Sequence, residues 1–135
     1  MPDLFDEKAS DWDADAMIQK LSSAIGTSIL EHITFHNKMD VMDFGAGTGL
    51  ISSHVATLVN KILAVDISKA MLDNLVSKPE FHGKVEALCQ NIIDNPKQAI
   101  SVLFYIFKCD YYENAKRDKG SMIFIYNFFN VLVFF

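Results

Sequence analysis

The nine residues Val41-Met42-Asp43-Phe44-Gly45-Ala46-Gly47-Thr48-Gly49 decide the fold. An apolar run starts after Asp40 and runs straight into three alternating glycines, which reads as a buried strand ending in a glycine turn. Glycine at such a turn supplies positive φ, or leaves the backbone bare for a closely approaching ligand. Downstream, Leu50, Ile51, Val55 and Leu58 resume helical spacing, and Ile62-Leu63-Ala64-Val65 forms a second apolar run that ends at Asp66. Ser68 can cap a helix carrying Ala70, Met71, Leu72 and Leu75, closed by Pro79 and Gly83. Val85, Ala87, Leu88 and Cys89 make a third strand ending at Gln90-Asn91. Strand, helix, strand, helix, strand is the alternation of a parallel α/β sheet with right-handed crossovers.

Upstream, Met17, Leu21, Ile25, Ile29 and Ile33 recur every four residues, with Ile18 and Leu30 beside them, so a helix with one broad apolar stripe is expected. Asp13 and Asp15 suit its N-terminus, where unpaired N–H groups favour anions. The other acids among residues 3–15 read as a solvated face, and Met17, Met42 and Met71 as core.

A length of 135 residues allows one domain. Half the residues are hydrophobic, which excludes global disorder. The net charge of −5 and the lack of any basic cluster argue against a nucleic-acid partner. Cys89 and Cys109 form no CxxC and no secretory leader is present, so a reduced, cytoplasmic chain is expected. Charge divides the sequence: residues 1–96 hold 14 acids against 7 lysines, whereas residues 97–135 hold 3 acids against 5 bases. The last fifteen residues, 121–135, carry no charge. That run is shorter than the ~20 residues of a membrane helix and is broken by Asn127 and Asn130, so membrane association is not favoured. An apolar, aromatic strand is the alternative.

In an open parallel sheet a ligand sits beyond the carboxyl ends of the strands, where residues 43–49 lie. The helix after the turn aims N–H groups there and favours an anionic ligand group. Asp66 can accept both hydroxyl hydrogens of a ribose, at about 1.5–3 kcal/mol for each charge-assisted bond. A triphosphate loop of the form GxxxxGK[ST] is excluded, because Leu50 follows Gly49 and the next lysine is Lys61. The G-x-G-x-x-G of a dinucleotide site does not fit either, since the third glycine comes one position early. His32 and His36 stand four apart but lack a third ligand at metal-site spacing, so no metal is expected. His54 reads as a solvated helix position and Cys89 as small core packing.

VMDFGAGTG (41–49), LAVDIS (63–68) and EALCQN (86–91), preceded by FDEKASDWD (5–13), resemble the class I S-adenosylmethionine-dependent methyltransferases. The similarity is to the small-molecule type related to ubiquinone and menaquinone biosynthesis. It implies a Rossmann-like α/β fold, a parallel sheet with flanking helices, and S-adenosyl-L-methionine as cofactor. It further implies that Gly45, Ala46, Gly47, Thr48 and Gly49 surround the methionine part, with Asp43 divided between bracing the loop N–H groups and touching the cofactor. By the same resemblance Asp66 binds the ribose, Ile67 packs on adenine, Asn91 with Ile92 meets the adenine edge, and Phe5 with Trp12 helps cover the cavity. The methyl acceptor would be a small molecule, and no catalytic residue is marked. The resemblance ends near Pro96: no F-D strand follows, so the seven-stranded fold is expected to be incomplete. Residues 1–96 then form the cofactor-binding N-terminal half, and residues 97–135 an atypical hydrophobic tail. Two functions compete: a truncated methyltransferase, and a non-catalytic S-adenosylmethionine-binding fragment or inert truncation product.

Overall fold

The computed structural model describes residues 3, 5–91, 123–126 and 131–134. Strands β1 (Asp40–Phe44), β2 (Lys61–Asp66) and β3 (Val85–Cys89) pair in parallel, Val41 opposite Ile62 and Ile62 opposite Val85. Between them run α2 (Ser52–Val55) and α3 (Lys69–Ser77), preceded by α1 (Ala16–His32). Two right-handed crossovers that step in the same direction must lie on the same face of the sheet. Accordingly one core joins Ile29 and Ile33 of the α1 region, Val55 of α2, and Leu72 and Leu75 of α3 to Val41, Ile62 and Ala64 of the strands. On the opposite face Met42 and Val65 pack with the partly buried Phe44, Leu63 and Leu88.

The apolar tail supplies two strands, the alternative its composition offered. Ile123–Tyr126 forms β4, parallel to β1 with Met42 opposite Phe124, and Val131–Phe134 forms β5, antiparallel to β4. The sheet order is therefore β3-β2-β1-β4-β5, and β1 is paired on both sides. A buried strand rich in unpaired N–H and C=O groups is a strong template for another strand, which is the physical reason an uncharged aromatic segment pairs there. Strand order reverses at β1, so the glycine turn sits at a topological switch point. No helix among the described residues is long and apolar enough to cross a membrane.

Three expectations need correction. The stripe of α1 is buried only at its C-terminal end: Gly26, Ile29 and Ile33 are covered, whereas Met17 and Leu21 are 79% and 58% exposed. The helix meets its neighbour at Gly26, where a Cβ would come within 2.3 Å of the His54 ring, so its first two turns project beyond the core. The same contact makes His54 a packed, half-buried side chain and not a solvated one. Cys89 is exposed because β3 is the outermost strand, and its thiol donates to the Ile67 carbonyl at 3.5 Å. Met42 and Met71 are buried as expected, and His32 and His36 lie on the surface.

Candidate functional site

The turn after β1 is held against β2 by backbone bonds: the Gly45 and Ala46 N–H groups both donate to the Val65 carbonyl, at 2.8 and 3.1 Å. Three residues of the turn carry positive φ: Gly45 at 76°, Gly47 at 54° and Gly49 at 80°. Each glycine of interest answers a different constraint. A Cβ on Gly49 would lie 2.9 Å from both Leu75 and Phe81, so this glycine lets the turn seat against α3 and the 3-10 turn after it. A Cβ on Gly47 would meet nothing within 4 Å, so this glycine faces open space.

Asp66 ties the two strand tips into one unit. Its Oδ2 accepts the Gly47 N–H at 2.7 Å and its Oδ1 accepts the Ser68 N–H at 2.9 Å, which fixes the carboxylate plane across the mouth of the turn. Each oxygen keeps a lone pair for a further donor. Next to it Ile67 leaves a large apolar side chain 58% exposed at the tip of β2. Gln90 donates its N–H to the Asp66 carbonyl, while its side-chain Oε1 is buried without a partner. Asn91 follows at the surface, and Ile92 lies outside the described residues.

Asp43 is fully buried beneath the turn. It braces a helix and not the loop: Oδ2 accepts the Ser52 hydroxyl at 2.5 Å, and Oδ1 has no partner. Burial pushes this carboxyl up to about 7, opposed by the Ser52 hydrogen bond and assisted by the negative charge of Asp66. The folded chain thus keeps a proton that an unfolded chain, at the ordinary 3.8, has lost. Stability is highest below about 4 in respect of this group and falls as pH rises towards 7. An Asp43→Asn variant keeps an acceptor for Ser52 and should flatten that fall; urea titrations at intervals between those pH values would show it, and parallel pH dependences in the two proteins would contradict it.

Sequence reasoning did not find the partners of the N-terminal acids. Asp15 caps α1 as expected, accepting from the N–H groups of Met17 and Ile18. Asp13 instead accepts the Thr48 hydroxyl on Oδ1 and pairs with the Lys78 ammonium on Oδ2, each at 2.5 Å. Asp3 accepts from the Ser68 hydroxyl and the Ala70 N–H. The Phe5 N–H, together with these bonds, holds the Asp3 carboxyl below its usual value. Phe5 and Trp12 meet edge to face at 6.0 Å. Among the described residues no group of three metal-ligating side chains comes together.

A glycine turn at a switch point, closed by a carboxylate on the next strand, defines a Rossmann-like α/β protein. Residues 41–123 match the sequence model of the family described as "Methyltransferase domain", and the chain belongs to that family, the class I S-adenosylmethionine-dependent methyltransferases that its motifs resemble. Among curated proteins it is 35% identical over 98 residues to a malonyl-[acyl-carrier protein] O-methyltransferase of Buchnera aphidicola; the match takes in 68% of this chain and 38% of that protein. The chain therefore spans about two fifths of the curated relative it matches. Among solved structures, phosphoethanolamine N-methyltransferase 1 of Haemonchus contortus, in complex with phosphoethanolamine and S-adenosylhomocysteine, superposes with a TM-score of 0.55 at 18% identity. That match covers 66% of this chain and 20% of the other. The complex of DhpI with S-adenosylhomocysteine gives 0.54 at 22% identity, covering 67% and 43%. Both share the fold.

Proposed function

We propose that residues 1–96 bind S-adenosyl-L-methionine and that the chain serves methyl transfer to a small-molecule acceptor. The observation that carries this reading is the joining of Gly47 and Asp66 by the 2.7 Å bond, which holds a carboxylate at the edge of an open glycine turn. The residues present fit such a ligand. Gly47 leaves room for the methionine part, Asp66 offers two fixed oxygens to the ribose, and exposed Ile67 offers an apolar face to the adenine. Asn91, at the end of β3, is assigned to the adenine edge together with Ile92. Gly45, Ala46, Thr48 and Gly49, the other residues of the turn, are assigned to the methionine part, with Asp43 buried beneath them.

When bound, the cofactor supplies a methyl group already activated by its sulfonium. The chain's own residues have to hold the donor in line for attack, and positioning alone can lower a barrier by about 7–11 kcal/mol. The curated relative's name records methylation of a carrier-bound malonyl group, which is compatible with an oxygen acceptor here. An exposed, unpaired Cys89 suits the reducing conditions of a cytoplasm.

Calorimetry with S-adenosylmethionine and S-adenosylhomocysteine, beside a radiolabelled-methyl assay, tests the reading. Binding with turnover supports a transferase, binding without turnover supports a cofactor-binding module, and no heat with either ligand rejects both.

A further inference from the structure

Asp3 and residues 5–13 are tied to α3 at both ends and in the middle. Asp3 holds Ser68 and Ala70 at the N-terminus of the helix, Asn74 donates to the Ala9 carbonyl at 2.7 Å, and Asp13 pairs with Lys78 at the C-terminal cap. The last tie also reaches the glycine turn. Lys78 Nζ donates to the Thr48 carbonyl at 2.6 Å, and the Thr48 hydroxyl donates to Asp13, so three residues from three distant segments close a ring on the turn. Thr48 itself is 1% exposed.

We propose that Asp13, Lys78 and Thr48 form an ionic latch that fastens the N-terminal strap to the glycine turn and so couples strap docking to ligand occupancy. The inference rests on the reading of the turn as the cofactor site. Asp13 and Lys78 are positioning residues: they act on the turn through Thr48.

Burial decides which ion pair can do this. Lys78 and Asp13 are 17% and 29% exposed, whereas the Lys69–Asp73 pair on the outer side of α3 is 74% and 61% exposed and well screened. With the hydroxyl and carbonyl of Thr48 engaged, the backbone of the turn is held at the residue between Gly47 and Gly49. Releasing the latch lets the turn and the strap move independently. By linkage, whatever tightens the turn also docks the strap, and whatever frees the strap weakens ligand binding by the same factor.

The chain carries its own reporter, because its single tryptophan, Trp12, adjoins Asp13 and packs on Phe5. S-adenosylhomocysteine should shift Trp12 emission in the unaltered protein. Lys78→Met should abolish that shift and weaken binding at least fivefold, the low end of usual coupling factors, chiefly through faster release in stopped flow. Lys78→Arg should restore most of it, and Lys69→Met should change nothing. Raising salt from about 0.05 to about 0.5 M should speed release from the unaltered chain but not from Asp13→Asn, a comparison that needs no Lys78 variant to fold. If release and emission in Lys78→Met and in high salt match the unaltered protein, the latch is overturned, while loss of binding in Asp66→Ala would leave the cofactor site standing. If the unaltered chain binds neither ligand, latch and site fall together.

Discussion

Replacing Asp66 with alanine is expected to weaken adenosyl-ligand binding by about 10²–10⁴-fold, the equivalent of two charge-assisted bonds to a ribose. The size follows from geometry. Both oxygens of Asp66 are already fixed by the N–H groups of Gly47 and Ser68, so the side chain meets the ligand without further loss of rotamer freedom. The substitution also frees the Gly47 N–H, so the turn loses its brace along with the ligand contact. Asp66→Asn separates the two effects, since the amide keeps one acceptor and can brace one N–H but repels the other. Its affinity should fall between those of the parent and the alanine variant. An independent sign of the lost charge is available at Asp43, whose raised value is partly due to Asp66: in Asp66→Ala the pH-dependent loss of stability should move to lower pH. Calorimetric affinity within about threefold of the parent, in a sample with unchanged far-ultraviolet circular dichroism, would remove Asp66 from the site.

Local patterns in the sequence were enough for the three parallel strands, the caps at Asp15 and Ser68, and the turn with its acid, because each is decided by neighbours a few residues away. Periodicity tells that α1 has an apolar face but not how far along the helix a neighbour covers it, so Met17 and Leu21 lie on the stripe without reaching the core. Strand character told that Cys89 alternates with Leu88 but not that β3 is the margin of the sheet. The bracing roles of the two carboxylates were also out of reach. A hydroxyl nine residues on takes Asp43, and the loop N–H it was expected to hold goes to Asp66 across 19 residues. Asp13 and Lys78 show the limit most plainly: nothing near either residue in the chain marks it, and only the packing of the strap along α3 brings them together.

Alanine at Gly49 and at Gly47, two residues apart, should have opposite consequences. At Gly49 the left-handed backbone, φ 80°, costs a side chain about 1–2 kcal/mol. The new methyl group would also press on Leu75 and Phe81, both buried, and overpacking of that kind adds about 1–3 kcal/mol. Together these remove a large share of the ~5–15 kcal/mol that an ordinary domain has in hand, so Gly49→Ala should lower the urea midpoint sharply or prevent folding. At Gly47 the backbone strain is similar, with φ at 54°, but nothing stands in the way of the methyl group. Gly47→Ala should therefore remain folded with a modest drop in midpoint, and lose ligand affinity because its Cβ fills the space the turn leaves open. The contrast separates the two sides of one turn: packing behind it answers to Gly49, and the ligand in front answers to Gly47. A Gly47→Ala protein that binds S-adenosylhomocysteine as tightly as its parent would mean that the open side of the turn is not where the ligand lies.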